Sequence, residues 1–231
     1  MELGRYRDPP WLDFIRVCGL SRLGIGYRLA EYYAKPGGPL NYGPAYSSMP
    51  LLPDESITLE ELQRKFADRM KIRGAKALNS AVMKLLLADA GCRIGTVSIL
   101  AARPHRIRRS IRLIARQMFV RQLADGTYSV EWLQPRVDRL ADSEFQFSSR
   151  LFLEMYEAPE IQSKEFCAWD TGRRNKWSVR SLRRLSSREF APTELDDFQE
   201  RIERYLTAKR DLAERGRIRF WDPKDDGAPY P

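Results

Sequence analysis

Between Asp89 and Asp125 the chain holds no acidic residue and eight arginines: Arg93, Arg103, Arg106, Arg108, Arg109, Arg112, Arg116 and Arg121. Like charges packed together repel unless anionic partners neutralise them. A second acid-free block, Thr171 to Arg188, adds Arg173, Arg174, Lys176, Arg180, Arg183, Arg184 and Arg188. The net charge is +9, so the remainder of the chain is mildly acidic. A solvated face ordinarily mixes signs, and charge concentrated this way points to a polyanionic partner.

The 231 residues and an apolar fraction of 43% suffice for a real core. No apolar run is long enough to span a bilayer, and "MELGRYRDPPWLDF" lacks the charged-then-greasy pattern of a secretion signal, so a cytoplasmic protein with no membrane partner is expected. Cys18, Cys92 and Cys167 are isolated and odd in number, suggesting neither a disulfide framework nor a zinc knuckle. His105 is the only histidine, which leaves a His-paired metal site or a His-relayed nucleophile without a second member. No Walker-type phosphate loop occurs, and "GLSRLGIG" does not satisfy the dinucleotide pattern. Glu60-Glu61 and Asp196-Asp197 sit where helix starts favour carboxylates, and Asp222-x-Lys224 lies in a polar tail with Asp225-Asp226. No cofactor, no metal and no catalytic residue is therefore expected.

Trp11 to Tyr33 has the spacing of a helix weakened by Gly19, Gly24 and Gly26. "AKPGGPLNYGPAYSSMPLLPDES" is dense in Pro, Gly and Ser and predicts a linker or irregular arm. Thr58 and Glu61 form a capping-box spacing before the stripe Leu59, Leu62, Phe66 and Met70, and a second stripe, Leu78, Val82, Leu85 and Leu86, runs to Gly91. A short helix is expected over Thr96 to Ala102.

In "RPHRIRRSIRLIAR", Pro104 suits a helix's first turn, and a helical projection gathers Ile107, Ile111, Ile114 and Met118 on one arc, with His105, Arg108, Arg109, Arg112 and Arg116 opposite. "MFVRQL" and "TYSVEWL" then alternate around Asp125-Gly126, which predicts a hairpin. Further helices are expected over Ser143 to Tyr156, over a short piece bearing Val179, Leu182 and Leu185, and over Pro192 to Arg215. The last repeats Leu195, Phe198, Ile202, Tyr205, Lys209 and Leu212 as a heptad seam, which suits a coiled coil or packing onto the protein's own body.

Helix, short helix, turn, basic helix and hairpin over Ala77 to Leu133 resemble the winged helix-turn-helix family, and look most like MarR-type bacterial regulators. The resemblance implies a mostly α fold with a small β-hairpin wing and flanking N- and C-terminal helices. It divides the chain into an N-terminal helix and arm (1–56), a winged domain (57–135) and a C-terminal helical region with the second basic block (136–231). It further implies double-stranded DNA as partner, a homodimer built by Trp11 to Tyr33 and Pro192 to Arg215, and a role as a sequence-specific transcriptional regulator rather than an enzyme. His105, Arg106, Arg108, Arg109 and Arg112 would reach bases; Arg116 and Arg121 would meet phosphates, and Arg103 either. Arg173, Arg174 and Lys176 belong to an extra basic block outside that pattern, which either extends the footprint or is a basic surface answering Glu194, Asp196 and Asp197. The alternatives are a plasmid or phage replication or partition protein, and a metal-dependent nuclease using Asp222 or Asp225.

Overall fold

The computed structural model describes residues 8–34, 42–71, 74–100, 103–107, 111–115, 118–156, 164–175 and 177–216, with the side chains of 103–106, 114 and 115 outside the description. At its centre, alternating β-branched and aromatic residues build a sheet of five strands, β1 (Thr96–Ile99), β4 (Met118–Gln122), β5 (Tyr128–Gln134), β6 (Glu165–Asp170) and β7 (Arg183–Ser186), in the spatial order β1-β4-β5-β6-β7. All pairings are antiparallel except β5 with β6, which run parallel. Parallel neighbours need a crossover, and α6 (Asp142–Met155) lies in the connection between them. A separate two-stranded ladder, β2 (Arg103–Ile107) with β3 (Ile111–Ala115), is inserted between β1 and β4.

Both faces of the sheet are buried, so the strands carry apolar residues at odd and even positions alike. Met118, Val130, Trp132, Phe166, Ala168 and Leu185 face a core completed by α1 (Trp11–Cys18), α2 (Arg22–Ala34), α6 and α7 (Leu195–Glu214). Phe119, Leu133, Trp169 and Val97 face a second core with α3 (Gly43–Ser48), α4 (Leu59–Lys65) and α5 (Ala75–Ala88). The chain is thus an α/β protein with helices on both faces of a mixed sheet.

The expected mostly α fold with a small wing is overturned. The hairpin around Asp125-Gly126 forms as predicted, with Gly126 at φ 79° in its turn, but its strands are the middle of the sheet, and β5 is buried from Ser129 to Gln134. The expected short helix over Thr96 to Ala102 is instead strand β1 where it is described, as its β-branched Thr96, Val97 and Ile99 favour. Where it is described, the arginine-rich stretch is two paired antiparallel strands, not a recognition helix. A spacing of four serves both periods, because it is about one helical turn and also an even number of strand positions. Ile107 and Ile111 therefore fit either structure, and in the ladder they pair with each other. Leu113 decides: it would fall away from Ile107 on a helix, yet it is buried with Ile107 and Ile111 in the first core.

Three further expectations change. The Pro/Gly-rich arm contains α3, entered with Pro44 in its first turn, and a 3-10 turn at Met49–Leu51; Ala45, Tyr46, Met49 and Leu52 are core residues. The short helix of the second basic block is absent: Val179 is exposed and Leu185 belongs to β7. Trp11 to Tyr33 breaks at Gly19 into two helices. The capping box of α4 is formed as the spacing predicts, with Thr58 Oγ1 accepting from the Glu61 amide and the Glu61 carboxylate accepting from the Thr58 amide. The seam of α7 is buried against the protein's own α1, α2 and α6, save Leu195. That packing uses within one chain the apolar faces assigned to a two-fold dimer. The sheet also runs through the expected boundary at 135, since β5 and β6 lie on either side of it.

Candidate nucleic-acid interface

The register places the root of the β2–β3 insertion and the start of the segment after β6 at one end of the sheet. The Leu100 amide bonds to the Met118 carbonyl, so the β2–β3 insertion leaves and returns between these two residues. Met118 is paired with Trp132, and Trp132 with Ala168, two residues before β6 ends at Asp170. The carboxyl ends of β5 and β6 and the root of the hairpin therefore share an end. β4 and β6 are two strands apart, which sets the two roots about 10 Å from each other across the sheet, with the end of β6 two residues further along.

The hairpin is fixed to the body by Ile107, Ile111 and Leu113 and by one carboxylate. Asp8 accepts from the Arg112 backbone amide at 2.8 Å, from the Tyr205 hydroxyl at 2.7 Å and from the Lys209 ammonium at 2.7 Å. Lys209 is wholly buried, so Asp8 supplies the countercharge that its burial requires. Burial, followed by the negative charge of Asp8, pushes the Tyr205 phenol well above its ordinary range, which keeps it a hydrogen-bond donor. Of the predicted contacts, Arg103, His105 and Arg106 lie on β2, Arg106 pairs in register with Arg112 on β3, and Arg112 is half-buried. Arg108, Arg109, Arg116 and Lys176 lie outside the described residues.

The second block begins where β6 ends. Asp170 accepts from the Leu140 and Gly172 amides, both at 3.0 Å, and from Gln134 Nε2 at 3.1 Å, tying the segment after β5 to the segment after β6. Burial pushes the Asp170 carboxyl up despite these donors and the Arg183 and Arg139 charges. The two segments cross so closely that a Cβ on Gly172 would stand 2.4 Å from the Arg139 Cα, so only glycine fits. Most cations here are committed. Arg136 makes a bidentate pair with Asp13, Arg183 bonds Asp142, Arg184 and Arg188 share Glu165, and Arg180 donates to the Pro135 carbonyl. Arg173 and Arg174 are exposed and make no ion pair among the described residues.

Comparison with family models, with curated proteins and with solved structures found no match.

Arg121, expected at a phosphate, lies in the core at 3% exposure. Its Nε donates to the Glu131 carboxylate at 2.8 Å, its Nη1 to the carbonyls of Cys92 and Ile94, and its guanidinium lies 5.8 Å from the Trp169 ring centroid. Glu131, wholly buried, also accepts from Trp169 Nε1 at 2.9 Å. Arg121 is thus a structural cation, because a phosphate could reach it only by displacing the sheet's own carboxylate. The hairpin pattern carries the signal for this: Arg121 pairs with Ser129, which puts Glu131 on the same face, two positions along. Among the described residues no three His, Cys, Asp or Glu side chains are grouped to hold a metal ion, and no helix is long and apolar enough to cross a membrane. Cys18, Cys92 and Cys167 are free and buried, and burial pushes all three thiols up, away from reactivity.

Trp177 is a surface residue that the sequence pattern does not mark. It is 84% exposed, three residues after Arg174, with Val179 at 86%. Its place in an acid-free, Gly- and Asn-containing loop is the one hint the sequence offers.

Proposed function

We propose that this protein binds nucleic acid with the end of the sheet from which its two basic blocks emerge. The carrying observation is that convergence: the acid-free insertion between β1 and β4 and the acid-free segment after β6 are rooted at the same end of the sheet, two strand spacings or about 10 Å apart across it, and Arg173 and Arg174 stand exposed there without a carboxylate partner among the described residues. Phosphates are the countercharge that such a surface lacks, and they give affinity that falls steeply with salt. Double-stranded DNA remains a candidate substrate, met by a basic hairpin and a basic loop rather than by a helix in the major groove. Sequence-specific regulation of the expected kind needs a recognition helix, and with that helix replaced by strands the proposal stops at nucleic-acid binding.

The test is a titration of labelled 20-base single strands and duplexes across a range of salt, with the parent and Arg173→Glu/Arg174→Glu. Binding by the parent, with a log–log salt slope that is shallower in the variant by about 0.9 for each duplex phosphate it no longer neutralises, supports the proposal. An unchanged slope and affinity in the variant, or no binding by the parent at low salt, overturns it.

A further inference from the structure

We propose that Trp177 is a stacking platform for an unpaired base, so that the favoured ligand of this surface is single-stranded nucleic acid. The inference rests on the nucleic-acid reading of the same site. Trp177 is 84% exposed, and its amide is bonded within the loop. The Asn175 side-chain oxygen accepts from the Trp177 amide at 3.0 Å and from the Ser178 amide at 2.9 Å, while Ser178 Oγ accepts from the Asn175 amide at 3.0 Å and donates to the Asn175 carbonyl at 2.9 Å. The base of the loop is fixed as well, through Arg180 on the Pro135 carbonyl and the Arg139 amide on the Arg173 carbonyl. An indole presented this way loses little freedom on binding, and its exposure costs hydrophobic stabilisation that a ligand would recover.

The surroundings choose the ligand. The other described tryptophans, Trp11, Trp132 and Trp169, are 3–4% exposed, so the exposed indole is peculiar to the basic loop. Arg173 and Arg174 lie four and three residues before it, exposed and without a carboxylate partner among the described residues, and no acid occurs from Thr171 to Arg188. An aromatic face beside exposed guanidinium groups suits a strand whose phosphates meet the arginines while a base lies on the ring. In a duplex both faces of each base are already stacked, so the indole gains nothing there unless a base is extruded. A bilayer would call for a broader apolar face than Trp177 and Val179 provide.

The experiment compares the parent, Trp177→Ala, Trp177→Phe and Arg173→Glu/Arg174→Glu by fluorescence anisotropy on a labelled oligo-dT of 20 bases and on a 20-base-pair duplex, first at one fixed salt concentration and then across a salt series. Thermal melts verify that each variant is folded. The parent binds oligo-dT more tightly than duplex. Trp177→Ala weakens oligo-dT binding roughly tenfold or more and duplex binding less than about twofold, Trp177→Phe retains most of the affinity, and the salt slope stays that of the parent. Intrinsic emission quenched by oligo-dT in the parent and unquenched in Trp177→Phe places a base on this ring. If Trp177→Ala binds oligo-dT like the parent while the double arginine variant is weakened, the stacking proposal is overturned and nucleic-acid binding stands. If neither variant is weakened, both are overturned. Sedimentation of the parent with phosphatidylserine vesicles that is abolished in Trp177→Ala, with oligo-dT binding unaffected, would also overturn it.

Discussion

Arg121→Met separates the two roles that an arginine in a basic block can have. The guanidinium is 3% exposed and the Glu131 carboxylate 0%, so removing one partner strands a charge in the middle of the sheet. Glu131 would keep Trp169 Nε1 and Ser129 Oγ as donors, and the Cys92 and Ile94 carbonyls would lose theirs. Breaking a buried pair from one side costs about 3–5 kcal/mol. For a chain of this size that is a fall in melting temperature of about 6–20 °C. Arg121→Met/Glu131→Leu should recover most of the loss, since an apolar pair of similar volume removes both desolvation penalties together. Circular-dichroism melts of the parent, both single variants and the double variant give the cycle, and oligonucleotide titrations of the parent and of folded Arg121→Met against salt give the second readout. A single variant melting within about 2 °C of the parent, or one whose salt slope drops by about 0.9 at unchanged stability, would refute a structural role for Arg121 and return it to the phosphate surface.

Asp8→Ala should remove the polar tie between β3 and the body and take from Lys209 the Asp8 carboxylate, at a cost of about 3–5 kcal/mol. Hydrogen exchange of the Arg112 amide, which donates to Asp8 in the parent, should accelerate with it; unchanged protection would show that Asp8 does not anchor β3. Glu61 titrates below the ordinary glutamate range because the Thr58 amide and then the Thr58 hydroxyl bond its charged form. Its contribution to stability is therefore present above the unfolded carboxylate value and is lost as pH falls through the lowered one. Thr58→Ala, which leaves the amide and removes the hydroxyl, should move the Glu61 carboxyl part of the way back up in an NMR titration, and no movement would count against the capping box.

Local signals were legible in the sequence, and long-range ones only in part. The capping box at Thr58 and Glu61 spans four residues and forms as its spacing predicts. The stripe of Phe198, Ile202, Tyr205 and Leu212 forms α7, because its alternating steps of three and four favour a helix over a strand. Ile107 and Ile111 carry no such distinction, and the register of β2 with β3 is settled by Leu113 and by the core beneath it. Arg121 looks like its neighbours in composition, yet its burial follows from the Asp125-Gly126 turn, which brings Glu131 across the strand pair. A chain with the same composition could send its two basic blocks from opposite ends of a sheet and present no common surface. Here β4 runs antiparallel to β5 and β6 parallel to it, so the start of β4 and the ends of β5 and β6 coincide, and it is this strand direction, not the number of arginines, that roots the two basic segments at one end.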